Sequence, residues 1–433
     1  MPTSRRQHVG ITAVAWGASS DGWQKGAREV VDFLPATGTP EELARVGYDG
    51  TTWDQAQNLP RGQLTTAERM PSAELGPGGP SEPIPTGPRL DVDGLPFTDP
   101  LTGRAMTGDE LLDRRLYTDA LAVVQGGHLV YETYRDGMTE SDRHVAHSCS
   151  KTLTTMMVGI ALEEGRLERS RPIGDYVPEL ASISAWQPVT LEHVLDMATG
   201  VDLEENYEDA DSMYWRYADA VGYYARDGAV PSSTLAFVTT ELTRSAEPPG
   251  ERFNYGSYLT NLLPIALANV YDVPAVELYE DRIYRHLGAE RPALVNLDSA
   301  GNPIVEGQVN LTLRDFLRWG YLLVDHGRSL SGTQVVPATW VDDTYAPSAA
   351  RAAAFARGAE GEAMPGVEYH NQTWVLEPGR VVTMLGIHGQ FCWVDRQTAT
   401  MIVGFSSYPV QTHALLSATL RELWSGVRAA LAG

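Results

Sequence analysis

Two strand-forming stretches lie far apart in this chain with a helical stretch between them, and that order restricts the fold more than any single residue does. Residues 119–125 and 128–134 flank Gly126-Gly127, a turn that tolerates positive φ, and read as a hairpin. The same pattern returns at 372–376, 381–387, 390–394 and 400–405, and then an amphipathic helix carries Leu415, Leu416, Leu420, Leu423 and Val427. Between these ends, 190–287 reads as mainly helical, including 191–197 and 258–270, and 313–324 adds another helix. Strands at both ends enclosing a helical middle imply one sheet built from distant segments, so the fold class expected is α/β (α+β) with a helical insertion. The division that follows is an irregular arm over 1–110 that wraps the body, an α/β domain of 111–165 and 290–433, and a mainly helical insertion of 166–289. The arm is rich in breakers such as Gly76-Pro77-Gly78-Gly79-Pro80.

Charge and length narrow the function. A chain of 433 residues can bury one large or two medium cores. Its formal net charge of -23 repels phosphate backbones and anionic lipid, so neither nucleic acid nor a membrane is an expected partner. No run approaches the roughly 20 apolar residues of a membrane helix. Cys149 and Cys392 form no ligand pattern and read as free thiols of a reducing compartment. Arg5-Arg6 precedes only a short, mildly apolar run over 9–18 with no clean cleavage site, which favours a cytoplasmic location. A homodimer is compatible with the sequence.

The chemistry concentrates on one lysine. Of 33 basic residues only Lys25 and Lys151 are lysines. A lysine kept against such an arginine bias suits a task that needs a deprotonatable amine, which arginine cannot supply. Lys151 lies three residues after Ser148, in Ser148-Cys149-Ser150-Lys151, where the loop 142–147 gives way to an apolar helix with Leu153, Met157, Ile160 and Ala161 on one face and Gly165 as its stop. That spacing puts the amine one turn from the hydroxyl, where a lysine depressed by burial can take the serine proton. Tyr255-Gly256-Ser257, after the turn Pro248-Pro249-Gly250, offers a phenol to relay protons and a second hydroxyl to bond the amine. The glycine-bearing strand over 383–390, with Gly386, Ile387 and His388, lets substrate lie against backbone and provides an N–H to stabilise an oxyanion alongside that of Ser148. His144 and His147 have no third ligand beside them, so no metal is expected, and no cofactor motif or GxSxG elbow is present.

These boxes, in this order, resemble the penicillin-recognising serine hydrolases: the serine β-lactamases, D-Ala-D-Ala carboxypeptidases and related esterases. Within them the chain is most similar to the 6-aminohexanoate-dimer hydrolase (nylon oligomer hydrolase) group. Glu164-Gly165-Arg166-Leu167, residues 176–180, Val194-Leu195-Asp196-Met197 and residues 386–390 also carry the resemblance, which runs from about 115 to the end and more faintly over 53–72. It implies a β-lactamase/DD-peptidase-like fold, an antiparallel sheet flanked by helices with the active site against the insertion. It implies Ser148 as acyl-forming nucleophile, Lys151 with Tyr255 as acid/base pair, and the Ser148 and Ile387 N–H groups as the oxyanion hole. Tyr207 resembles a lid tyrosine and Trp374 a pocket wall, with Ser257, Gly386 and His388 on the substrate side. Asp211 and Asp219 are the candidates for holding a substrate amine.

One departure sharpens the expectation. Where penicillin-recognising enzymes carry Lys-Thr-Gly, this chain has Met384-Leu385-Gly386, so the cation for a substrate carboxylate is missing. The expected activity is hydrolysis of a small-molecule amide or ester through an acyl-enzyme, most like cleavage of a linear 6-aminohexanoate dimer. The rivals are a carboxylesterase or acyltransferase of the same fold, and a catalytically silent binding protein on this scaffold.

Overall fold

The computed structural model describes residues 52–68, 70–202, 205–207, 209, 212–223 and 232–432. Residues 1–51, with Arg5-Arg6, the run 9–18 and Lys25, lie outside the described residues, as does Asp211.

The strands used below are β1 (Ser72–Leu75), β2 (Thr118–Gln125), β3 (His128–Tyr134), β4 (His144–Val145), β5 (Ala293–Asn296), β6 (Val309–Leu311), β7 (Glu368–His370), β8 (Thr373–Glu377), β9 (Val381–Leu385), β10 (Phe391–Asp395) and β11 (Thr400–Ser406). The hairpin forms as expected, because Gly126 and Gly127 take φ of 57° and 79° and so close a two-residue turn whose twist matches the strands. The two distant strand-rich stretches then meet. One seven-stranded antiparallel sheet runs β7-β8-β9-β10-β11-β2-β3, with β2 from the first strand-rich stretch paired to β11 from the last.

β2 is buried along nearly its whole length, so both sheet faces must be covered. The helices involved are α1 (Cys149–Glu163), α2 (Leu191–Leu195), α3 (Met213–Ala220), α4 (Thr234–Thr240), α5 (Ser257–Thr260), α6 (Leu262–Tyr271), α7 (Leu313–Tyr321) and α8 (Ala414–Ala432). Leu121 and Val123 pack with Leu416, Leu420, Leu423 and Val427 of α8, while Ala120, Ala122 and Val124 join the larger core that contains α1, α7 and the helical region.

Four sequence expectations change. α1 is not one-sided: residues 149–161 are buried all round, because the helix sits between the sheet and the helical region. The helix expected over 258–270 is two, α5 and α6, divided at Asn261, whose amide is taken up by tertiary hydrogen bonds. The loop expected over 142–147 contains β4, which pairs with β6. Within the expected arm, the described residues 52–110 hold β1, paired with β5, and a helix Gly108–Arg114 closed by a Thr107–Glu110 capping box. β1-β5-β6-β4 thus make a second sheet that ends beside Ser148. Cys149 and Cys392 are free and buried. Among the described residues, no single helix is long and apolar enough to cross a membrane.

Candidate active site

Ser148 stands at the boundary where α1 begins, and the backbone before it is forced. His147 has φ of 43°, a left-handed conformation that a non-glycine residue keeps only when its surroundings hold it. Here the holding comes from afar: His147 Nε2 lies 2.7 Å from Gln63 Oε1, and Trp53 stacks on the ring at 5.9 Å. Ser148 itself keeps partial exposure with helical dihedral angles.

Lys151 is fully buried one turn further on. Its Nζ lies 2.8 Å from Ser148 Oγ, 3.0 Å from Ser257 Oγ and 2.7 Å from the Glu306 carbonyl oxygen. An ammonium would donate to all three. A neutral amine would donate to Ser257 and Glu306 and receive the Ser148 hydroxyl proton on its lone pair. Burial favours the neutral form and lowers the lysine pKa below its ordinary value, against the upward pull of the Glu205 and Glu306 carboxylates.

The Tyr255 phenol lies beside Ser148 and Tyr369. Lys151 Nζ lies 5.0 Å from the Tyr255 ring centroid, and Trp374 stacks on that ring at 5.7 Å. Burial, followed by the neighbouring Tyr369 and Glu205, holds the phenol well above its ordinary range, so it is a proton donor at neutral pH. Ser257 opens α5 and links the amine to an acid: its hydroxyl accepts from Lys151 and donates to Glu205 Oε1 at 2.7 Å, and its N–H donates to Glu205 Oε2 at 2.5 Å. Tyr207 also donates to Glu205, at 2.5 Å, and packs edge-on against Tyr214.

β9 ends at Leu385 and brings Gly386 against the corner before Ser148. A Cβ on Gly386 would lie 2.9 Å from the Ala146 carbonyl oxygen and 3.0 Å from His147 Cβ, so only glycine permits this approach. Among the described residues, neither the Ser148 nor the Ile387 N–H donates to another group, which leaves both available to a ligand oxygen. His388 is placed differently from expectation. It has φ of 61°, is fully buried, and sets Nδ1 2.7 Å from the Tyr408 carbonyl oxygen, so its ring secures the turn rather than lining a surface.

A family model described as beta-lactamase matches residues 103–422. The chain belongs to the beta-lactamase family. It is 32% identical over 363 residues to the 6-aminohexanoate-dimer hydrolase of Paenarthrobacter ureafaciens, covering 83% of this chain and 88% of that one. A Bacillus anthracis structure described as a 6-aminohexanoate-dimer hydrolase superposes with a TM-score of 0.80 at 23% identity, covering 91% of this chain and 98% of its own. A hydrolase with promiscuous acyltransferase activity shares the fold at a TM-score of 0.57 and 14% identity, over 73% of this chain and 96% of its own. The chain is therefore a serine hydrolase of the amidase and esterase kind found on this beta-lactamase fold.

Within the beta-lactamase family, Met384 marks the divergence already visible in the sequence. It is buried, paired across the sheet with Cys392, and packed towards Gly320 of α7, so no cation stands at that point. The histidine pair is spread over separate partners: His144 Nε2 lies 3.2 Å from Asp119 and His147 lies against Gln63. Sequence reasoning missed three residues of the beta-lactamase site, namely Glu205, Tyr369 and Glu306. Glu205 lies in the stretch that supplied Tyr207, and it is the acid that accepts from Ser257 and Tyr207; Asp219 lies on α3. No local pattern marks Tyr369 or Glu306, which arrive by tertiary folding.

Proposed function

We propose that this chain hydrolyses short linear amides or esters through an acyl-enzyme on Ser148, with a 6-aminohexanoate dimer-like amide as the favoured substrate class. One observation carries the reading: a fully buried amine, which burial disposes to the neutral form, stands 2.8 Å from a partly exposed hydroxyl that also has the Tyr255 phenol beside it. The relationship to the Paenarthrobacter ureafaciens hydrolase supports the substrate class.

Neutral Lys151 takes the Ser148 proton as Oγ bonds to the substrate carbonyl carbon. The carbonyl oxygen, now negative, is received by the Ser148 and Ile387 N–H groups. As the tetrahedral adduct collapses, the bond to the leaving nitrogen or oxygen breaks and that atom takes the Tyr255 proton, which Lys151 replaces. Water then adds to the acyl ester, giving its proton to the Tyr255–Lys151 pair, and Ser148 leaves with a proton as the acid departs. Trp374, stacked beside Tyr255, walls the acyl side, Tyr207 covers the scissile bond, and Ser257, Gly386 and the backbone at His388 complete the pocket.

The test offers a linear 6-aminohexanoate dimer and a p-nitrophenyl ester to the wild type and to Ser148→Ala. The wild type should turn over both and acquire an intact-mass adduct with a fluorophosphonate; equal turnover by the variant removes the nucleophile assignment. A second reading is acyl transfer to an added alcohol or amine, favoured by the fold shared with the acyltransferase-competent hydrolase. Product analysis with and without an added nucleophile separates the two.

A further inference from the structure

Behind Lys151 the structure holds a carboxyl group that the mechanism above does not use. Glu306 lies in the turn before β6 and is 3% exposed. Its backbone is clamped at both ends. The N–H donates to Asn261 Oδ1 at 3.0 Å, and the carbonyl oxygen receives Lys151 Nζ at 2.7 Å. Its side chain turns into a polar pocket formed with Tyr217 of α3 and Tyr223 just beyond it, and the carboxyl oxygen Oε1 has no direct hydrogen-bond partner among the described residues. Asn261 also donates to Tyr217 Oη at 2.5 Å, so one side chain ties this pocket to the turn.

The groups that face Glu306 can be named element by element. Lys151 comes from α1, Glu205 from the segment before α3, and Tyr217 and Tyr223 from α3 and the turn after it. Asp298, beyond β5, acts on Tyr217 from behind, and Tyr214 acts on Tyr223. Lys151 is the one cation among them.

We propose that Glu306 is a positioning residue for the general base: its carbonyl oxygen fixes where the Lys151 amine stands, and its buried carboxyl governs the charge that amine carries. The inference rests on the reading of Lys151 as base. A protonated Glu306 leaves Glu205 as the remaining acid acting on the amine and so shifts Lys151 towards the free base. An ionised Glu306 favours the ammonium, which cannot accept the Ser148 proton. Burial pushes the Glu306 carboxyl up to about 7, while the Lys151 charge works downward, so the charge on this carboxyl changes close to neutral pH.

The experiment follows the rate of Ser148 acylation by a p-nitrophenyl ester against pH in the wild type, Glu306→Gln, Glu306→Asp and Lys151→Met. Removing the carboxylate lets Lys151 lose its proton more easily, so the acid limb should move down by about one pH unit in Glu306→Gln and stay near the wild-type position in Glu306→Asp. Coupling is reciprocal, so the Glu306 carboxyl, followed by 13C NMR of glutamate-labelled protein, should titrate at higher pH in Lys151→Met. That second measurement stands even where Glu306→Gln fails to fold. An inactive Lys151→Met together with a Glu306→Gln profile superimposed on the wild type, or an unmoved carboxyl titration in Lys151→Met, overturns this inference alone. A Lys151→Met protein that acylates as fast as the wild type overturns the base assignment and this inference with it.

Discussion

Two buried ionisable clusters, one around His370 and one around Lys151, behave in opposite ways. Around His370 every charge meets a direct counter-charge. Its Nδ1 is 2.6 Å from Asp196, its Nε2 is 2.9 Å from Asp343, and Arg169 reaches Asp343 at 2.6 Å and Glu192 at 2.8 Å. Burial alone would lower the imidazole pKa, yet the two aspartates raise it, and the His370 contact holds Asp343 below the ordinary carboxylate range. Around Lys151 no carboxylate reaches the amine among the described residues; hydroxyls and a carbonyl do. There burial wins, pushing the lysine down and Glu306 up. The lesson is that direct pairing, not burial, decides which buried groups stay charged. Glu192, Asp196 and His370 also bring potential metal donors within 4.8 Å of one another, but both His370 nitrogens already face aspartates.

The contrast can be attacked from its catalytic side first. Lys151→Arg keeps a positive charge but removes the deprotonatable amine, so ester turnover should fall about 10^4-fold, as in Ser148→Ala, with the melting temperature of Ser148→Ala nearly unchanged. Turnover by Lys151→Arg at a tenth of the wild-type rate would show that charge, not proton transfer, is what the site needs.

The paired cluster should show the reverse. His370→Leu leaves Asp196 and Asp343 without their shared cation and should cost about 3 kcal/mol in urea unfolding. The midpoint of the acylation pH profile should stay put. A variant of unchanged stability with a displaced pH profile would break the distinction between the clusters.

A third measurement sharpens it through stability rather than rate. Glu306 has a folded pKa of about 7, above its ordinary value of 4.5, so its contribution to stability is present below 4.5 and is lost as pH rises through about 7. The wild type should therefore lose on the order of 2 kcal/mol between pH 5 and 8 relative to Glu306→Gln, measured by urea unfolding at each pH. Parallel curves for the two proteins would mean the carboxyl is not strained by its burial. The smallest effect belongs to the lid. Tyr207→Phe removes one hydrogen bond to Glu205 and should lower kcat/KM about fivefold, mostly through KM; a loss in kcat alone would move Tyr207 from substrate covering to chemistry.

Much of the frame was readable in the residues. Gly126-Gly127 suits a tight hairpin, and the stretches 119–125 and 128–134 that flank it read as its strands. β1 was not readable, because Ser72, Ala73 and Glu74 have no strand propensity and pair through backbone with β5 more than 200 residues away. The break between α5 and α6 was hidden for a similar reason: Asn261 is held by Glu306 and Tyr217, which local propensity cannot register.

The sequence by itself determined that Ser148 and Lys151 would meet, since a spacing of three along a helix brings them onto one face. It also determined that Met384 would bring no cation. Only the tertiary structure decided what surrounds the amine: Ser257, Glu205 and Glu306 come from segments about 50 to 150 residues away, and Gln63 and Trp53 hold the corner from the other direction. The physical reason is that spacing dictates contact within one element, whereas the charge on a buried group depends on desolvation and on every neighbour that folding brings within a few ångströms.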